Sequence, residues 1–218
     1  MRHFSSFLVS YCGKNVLLFS VVFLLFMTNA YGKGNVHNYS FSSCISISEE
    51  VQNTVFSVKR IRENKNIPFA VIDKKKAAIF VFDSDHNFIV AEPVLLGIAK
   101  FDKIDPRTVN AKLSAIKPDQ RVTPSGSFKA KMGRNHRGKE LLWVDYEYSI
   151  AIHPVVHVPS QNREKRLKTR EHTDNRITWG CINVSPELFK TVLKPLFKKK
   201  GGMVYILPEE SRAHIEQF

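Results

Sequence analysis

From residue 67 the chain alternates short apolar runs with turn chemistry. Residues 69–82 hold two apolar runs, FAVID and AAIFVF, on either side of a lysine triplet. DSDHN at 83–87 supplies turn residues, and FIVAEPVLLGIA at 88–99 returns. The pattern predicts a chain that goes out, turns and comes back to Gly97. Residues 141–156 give the clearest alternation. Leu142, Val144, Tyr146, Tyr148, Ile150 and Ile152 fall on one face of a strand. Trp143, Asp145, Glu147, Ser149, Ala151 and His153 fall on the other, and Pro154 ends the ladder. MVYIL at 203–207 predicts a last strand.

Two stretches carry the helical period instead. Ser48 suits an N-cap, Glu49 and Glu50 suit the positive end of the helix dipole, and Val51, Val55, Val58 and Ile61 form a stripe. That helix is expected to pack on the main domain. Ser185-Pro186-Glu187 opens a second one. Its buried stripe is Leu188, Phe189, Val192, Leu193, Leu196 and Phe197, Pro195 kinks or divides it, and KKKGG closes it. Residues 101–119 read as a loop, and Thr123-Pro124 with Gly126 as a turn leading to a core anchor at Phe128. Residues 161–176 are almost wholly polar and basic, which suits a short exposed helix or a flap. Strands with few helices exclude a doubly wound α/β sheet and predict a mainly β fold.

Residues 1–30 have the form of an export signal: Arg2 and Lys14, an apolar run over 16–27, then small residues up to Ala30. The run is shorter than the roughly 20 residues of a membrane span, with an uncleaved anchor as the alternative. Residues 31–48, rich in Ser, Asn and Gly, read as a tether. The 33 Lys+Arg exceed the 20 Asp+Glu and give a formal net charge of +13. Such a balance favours anionic partners. Outside the cytoplasm these are cell-wall polymer and membrane surface, with a membrane role only if the signal is uncleaved. No nucleic-acid motif is present, so no nucleic-acid partner is expected.

The chemistry concentrates in ITWGCINVS at 177–185. A cysteine attacks acyl groups as its thiolate, which requires a lowered pKa or a base. It also requires oxyanion donors, which exposed backbone N–H groups supply. Gly180 permits close backbone approach ahead of Cys181. His153, held at a strand end, is the first candidate base, His157 the second, and His172 lies in the basic stretch. The bland alternative makes Cys181 a small buried hydrophobe, or a disulfide partner of Cys44 in an oxidising compartment. Likewise Thr123-Pro124 could be only a turn, Thr178 and Trp179 only packing residues, and Asn183 only a partner for nearby backbone. No histidine–carboxylate cluster has metal-ligand spacing, so no metal and no cofactor are expected.

TPSGSF at 123–128, IAIHP at 150–154, TWGCIN at 178–183, then a helix and the final MVYIL strand together resemble the L,D-transpeptidase catalytic domain (YkuD-type). The resemblance covers roughly residues 67–208 and implies an L,D-transpeptidase-like β-sandwich core with a few peripheral helices. It divides the chain into a signal or anchor at 1–30, a tether and short helix at 31–66, the catalytic domain at 67–208 and a tail at 209–218. It implies that Cys181 attacks a peptidoglycan stem peptide, releases D-alanine and forms a thioester that an amine or water resolves. His153 maps onto the catalytic histidine, and the carbonyl of Pro154 takes the position that orients it. The oxyanion and substrate-binding positions fall on Gly180, Trp179, Thr178 and Asn183, with backbone N–H groups of Gly180 and Cys181 as the oxyanion hole. Acylation by carbapenem-type β-lactams is also implied.

Three features depart from the family pattern. His153 and Cys181 stand 28 positions apart, a longer spacer than usual, with the excess in residues 161–176. Pro154 stands where a small residue is usual. Trp179 stands where many members have histidine. The rival readings are an L,D-carboxypeptidase or endopeptidase with the same Cys-His site, and a non-catalytic wall-binding module.

Overall fold

In the computed structural model, residues 45–61, 64–109, 111–169 and 172–209 are described. The signal and tether expected over 1–44, Cys12 and Cys44 with them, lie outside the described residues, as do 210–218. The described residues all belong to one unit. Its chain runs α1 (Glu49–Ile61), β1 (Phe69–Asp73), β2 (Ala78–Phe82), β3 (Phe88–Pro93), β4 (Leu96–Gly97) and β5 (Gly126–Arg134). It continues through β6 (Glu140–Asp145), β7 (Ile150–Pro154), α2 (Arg163–Arg166), β8 (Arg176–Thr178) and β9 (Ile182–Val184). It closes with α3 (Pro186–Leu188), a π-turn (Phe189–Leu193), α4 (Lys194–Phe197) and β10 (Gly202–Ile206). The fold is mainly β.

Eight strands form one mixed sheet in the order β3-β2-β1-β10-β5-β6-β7-β9, and β4 pairs with β8 separately. The long strand β5 joins the two halves of the sheet. Residues 126–130 pair with β10, and residues 131–134 pair with β6. Side chains from both halves meet in one cluster: Ala70, Ile72, Ile79 and Val81 with Leu142, Val144, Ile150, Ile152, Ile182 and Val184. The expected sandwich is therefore one sheet whose halves share a core.

Strands β1 and β2 are buried at every position, which accounts for their unbroken apolar runs. One face joins the main cluster. The other packs Phe69, Val71 and Phe80 against Val51 and Val58 of α1. Each such side chain contributes about 1.5–3 kcal/mol through burial. Ser48 caps α1 by accepting the Val51 N–H at 3.3 Å and donates to Asp73 Oδ2 at 2.6 Å, tying the cap to the end of β1. Ile61, expected in the buried stripe, is exposed, because the stripe runs off the sheet in the last turn.

The apparent single strand at 141–156 is two. The chain turns between Asp145 and Ile150, where Asp145 Oδ1 accepts the Tyr148 N–H at 3.1 Å and Ser149 adopts φ +55°. The predicted facing survives away from the turn, where Leu142 lies opposite Ile152 and Trp143 opposite Ala151. A register shift sets Asp145 opposite Ile150, and Tyr146, expected on the core face, is exposed in the turn. After Ser185 the helical stripe is buried as expected, with Leu196 only partly so. Ser185 Oγ accepts the Leu188 N–H at 3.0 Å. Pro195 cannot donate, and its ring crowds the carbonyl four residues back. The helix accommodates it by widening to a π-turn, in which the Lys194 N–H reaches back to Phe189 O.

Candidate active site

The register of the sheet brings the candidate residues together. Strands β7 and β9 run parallel, with Ile152 beside Ile182 and His153 beside Asn183. One step earlier, Ala151 lies beside Cys181. Side chains alternate along a strand, so Ala151, His153, Cys181 and Asn183 share the face opposite the buried Ile152 and Ile182. Cys181 and His153 are then diagonal neighbours, about 8 Å apart at Cα from strand spacing and rise. Both line a cavity of about 690 Å³ whose walls also include Trp143, Arg163, Thr178 and Trp179.

His153 is held at both ring nitrogens. Nδ1 lies 2.8 Å from the Pro154 carbonyl, and Nε2 lies 3.1 Å from the Asn183 amide nitrogen. Proline has lost its N–H but keeps its carbonyl, so Pro154 still fills the acceptor position. Burial lowers the His153 pKa below its usual value; the bond to Pro154 opposes this and the charge of Arg163 adds to it. The shift favours the neutral imidazole.

Cys181 is a partly exposed free thiol. It donates to Ser149 O at 3.4 Å. Burial pushes its pKa up, against the pull of an Ala151 N–H bonded to the sulfur and of the Arg163 charge. Both shifts favour the uncharged forms, thiol and neutral imidazole.

The turn carrying Cys181 is braced by two threonines. Thr178 Oγ1 accepts the Gly180 N–H at 3.1 Å and donates to the Cys181 carbonyl at 2.7 Å. Thr123 Oγ1 donates to the Gly180 carbonyl at 2.8 Å and accepts the Gly97 N–H at 2.9 Å. The Gly180 N–H, expected as an oxyanion donor, is therefore committed to Thr178 in this state. Gly180 itself has φ +125°, and a Cβ there would stand 2.5 Å from Val122 O, so no other residue fits without distortion.

Trp179 is 36% exposed, with the Arg121 guanidinium 4.3 Å from its ring centre. It is a stacking wall of the cavity and not a core residue. Asn183 is buried and reaches beyond neighbouring backbone, to His153 through its amide and to Arg163 through its carbonyl. His157 lines the same cavity, but its largely exposed side chain lies 3.5 Å from Glu164. His172 is exposed.

Two residues of the site went unassigned in the sequence. Thr123 lay in a segment read for its proline. Arg163 lay in a stretch read as exposed or mobile, yet it and Leu167 are each 7% exposed. Their spacing of four, with the one leucine of that charged run, marks the buried face of a short helical turn.

The mainly β fold thus brings a cysteine, one residue ahead of β9, and a histidine on the parallel neighbour β7 to the wall of one cavity. In overall fold the chain is similar to solved L,D-transpeptidases. One is the L,D-transpeptidase from Mycobacterium smegmatis, at TM-score 0.37 and 14% identity, covering 64% of this chain and 58% of that one. Another is the helical cell shape determining protein Pgp2 from Campylobacter jejuni, at TM-score 0.43 and 14% identity, covering 66% and 49%. A third is the catalytic domain of the E. faecium L,D-transpeptidase, at TM-score 0.36 and 16% identity, covering 65% and 98%. The chain thus spans about half to three fifths of the length of the first two. No protein-family profile matches the chain, and no curated protein matches it. At these identities the case for the chemistry rests on the site's own geometry.

Proposed function

We propose that the protein is an exported cysteine acyltransferase acting on peptidoglycan stem peptides, an L,D-transpeptidase, with Cys181 as nucleophile and His153 as its base. The supporting observation is the held ring of His153. Its Nδ1–H is spent on Pro154 O, so Nε2 carries the lone pair, on the face and in the cavity that Cys181 shares.

The thiol turns from Ser149 O to Nε2, passes its proton there, and attacks the carbonyl of the residue preceding a terminal D-alanine. The protonated ring then gives that proton to the leaving amine, and a thioester remains on Cys181. An amine from a second stem attacks the thioester, loses its proton to Nε2, and releases the thiol. The Cys181 N–H is the oxyanion donor of this reading, with the Gly180 N–H joining it when Thr178 lets go. Trp179 forms the cavity wall, and the basic surface favours an anionic polymer.

The test is intact-mass spectrometry of the protein with a purified tetrapeptide-stem muropeptide, beside Cys181→Ala. The expected result is a thioester adduct on the parent protein alone, with release of D-alanine. Subsequent products then separate crosslinking from hydrolysis. No adduct and no turnover with folded, reduced protein would overturn the proposal.

A further inference from the structure

Residues 161–176 carry a cation into the site. Arg163 opens α2 and is 7% exposed. Its Nε donates to Gln161 Oε1 at 2.6 Å, and its Nη1 donates to Asn183 Oδ1 at 3.0 Å. Both acceptors are neutral. Among the described residues Arg163 has no carboxylate partner, which is unusual for a charge so withdrawn from water.

The consequence runs through Asn183. A guanidinium only donates, so the oxygen of the Asn183 amide must face Arg163. The amide nitrogen then faces His153 and donates to Nε2 at 3.1 Å. A nitrogen that accepts carries no proton, so the ring proton sits on Nδ1, where Pro154 O accepts it at 2.8 Å. With the amide reversed, its oxygen would meet Nε2 and draw the proton there, leaving no lone pair for a thiol.

We propose that Arg163 is a positioning residue of the Cys181–His153 site: through Asn183 it locks His153 in the tautomer whose Nε2 accepts, and it sets a cation without a carboxylate partner in the cavity that Cys181 lines. The long basic spacer between His153 and Cys181 thereby has a task inside the site. The inference rests on the Cys181–His153 reading.

The electrostatics agree with the geometry. Arg163 acts to lower the pKa of both His153 and Cys181, and Cys181 acts on Arg163 in return. The other titratable groups lining the cavity are His136, Lys139 and Glu140 at the far end of β5 and β6, and His157, which faces Glu164. The charge that acts on both His153 and Cys181 is that of Arg163.

The experiment compares the parent protein with Arg163→Met and Arg163→Lys, and needs no substrate. The pH dependence of Cys181 alkylation by iodoacetamide reads the thiol. Nitrogen-15 NMR of the histidines reads the His153 tautomer and its titration. Arg163→Met is expected to raise the thiol midpoint by about one unit, about tenfold less thiolate at a fixed lower pH. It is also expected to raise the His153 midpoint and mix the tautomers. Arg163→Lys, still a donor-only cation, is expected to stay within about twofold of the parent.

A folded Arg163→Met protein with the parent's midpoints and tautomer would overturn the proposal. So would a folded lysine variant that behaves like the methionine one. If Arg163→Met does not fold, the parent alone decides: a ring proton on Nε2 of His153 refutes the lock. Parent-like titrations in a protein that never forms an acyl adduct would sink the proposed function and leave this inference standing.

Discussion

Thr123→Val asks whether the segment before Pro124 is a strut for Cys181 or only a turn. Thr123 is fully buried, and its hydroxyl stands between two backbone groups of distant segments. It accepts the Gly97 N–H at 2.9 Å and donates to the Gly180 carbonyl at 2.8 Å. Valine keeps the shape and deletes both bonds. A buried polar group left without a partner costs about 1–3 kcal/mol. Two such groups predict a loss of about 2–6 kcal/mol, a fall in Tm of about 4–24 °C for a chain of this size. Thr123→Ser keeps the hydroxyl and gives up one methyl, so its cost is about 1 kcal/mol. Urea unfolding of the three proteins, with thermal scans alongside, measures both differences. The valine variant should also lose acyl-adduct formation beyond its loss of fold, because Gly180 positions the nucleophile. A valine variant within about 0.5 kcal/mol of the parent, with the serine variant no better, would refute the strut, since no arrangement of two orphaned buried groups is that cheap.

Gly180→Ala should destabilise by at least about 2 kcal/mol in the same assay, because φ +125° and Val122 O at 2.5 Å from the new Cβ act together. Lys74→Met should cost about 2–4 kcal/mol: Nζ of this 1% exposed lysine donates to Phe101 O, Thr123 O and Asp102, and methionine strands all three. Burial alone raises the Asp102 pKa, but bonds to Lys74 and the Glu209 N–H, with the Lys74 charge, outweigh it and hold the carboxyl below its ordinary 3.8. Its contribution is therefore complete above that value and lost as pH falls through the lower folded pKa. The stability gap between parent and Asp102→Asn should accordingly close in acid. Burial, with the Arg163 charge, also lowers His153, so the acid limb of acyl-adduct formation should fall below pH 6.5. A limb above that value would show a different base.

The legibility of the chain varied with how local each cause was. Strand faces follow from period two, and the helix after Ser185 from its cap, its stripe and its proline. The turn at residues 145–150 was hidden because Asp-Tyr-Glu-Tyr-Ser carries no glycine, and the alternation runs through it without a break. An antiparallel return that keeps Trp143 and Ala151 on one face leaves the same pattern as a straight strand. The bond that ties the α1 cap to the end of β1 spans 25 positions, from Ser48 to Asp73, and no local pattern announces it. At the site, Cys181, His153 and Asn183 stood out through local motifs. Thr123 acts across 57 positions on Gly180, so only the folded register discloses its role. The basic run at 161–176 misled because charge dominated its composition, while one leucine and one arginine four apart held the information about burial.

The hydrogen bonds around the site form two circuits with different tasks. One runs from Gly97 through Thr123 and Gly180 to Thr178 and Cys181, and braces the backbone of the proposed nucleophile. The other runs from Pro154 through His153 and Asn183 to Arg163, and fixes the ring and its proton. They meet where Cys181 and Asn183 flank Ile182 at the start of β9. In the resting state each reactive atom is turned to a neighbour: the thiol to Ser149 O, and Nε2 to the Asn183 amide. In the proposed reaction, proton transfer from sulfur to ring exchanges two weak side-chain bonds for one. A substrate carbonyl entering above Cys181 supplies the reason for that exchange, since negative charge developing there is opposed by Ser149 O and favoured by the Cys181 N–H and the Arg163 charge. In that reading the parallel register of β7 and β9 sets the spacing of Cys181 and His153, and the side-chain bonds decide when they face each other.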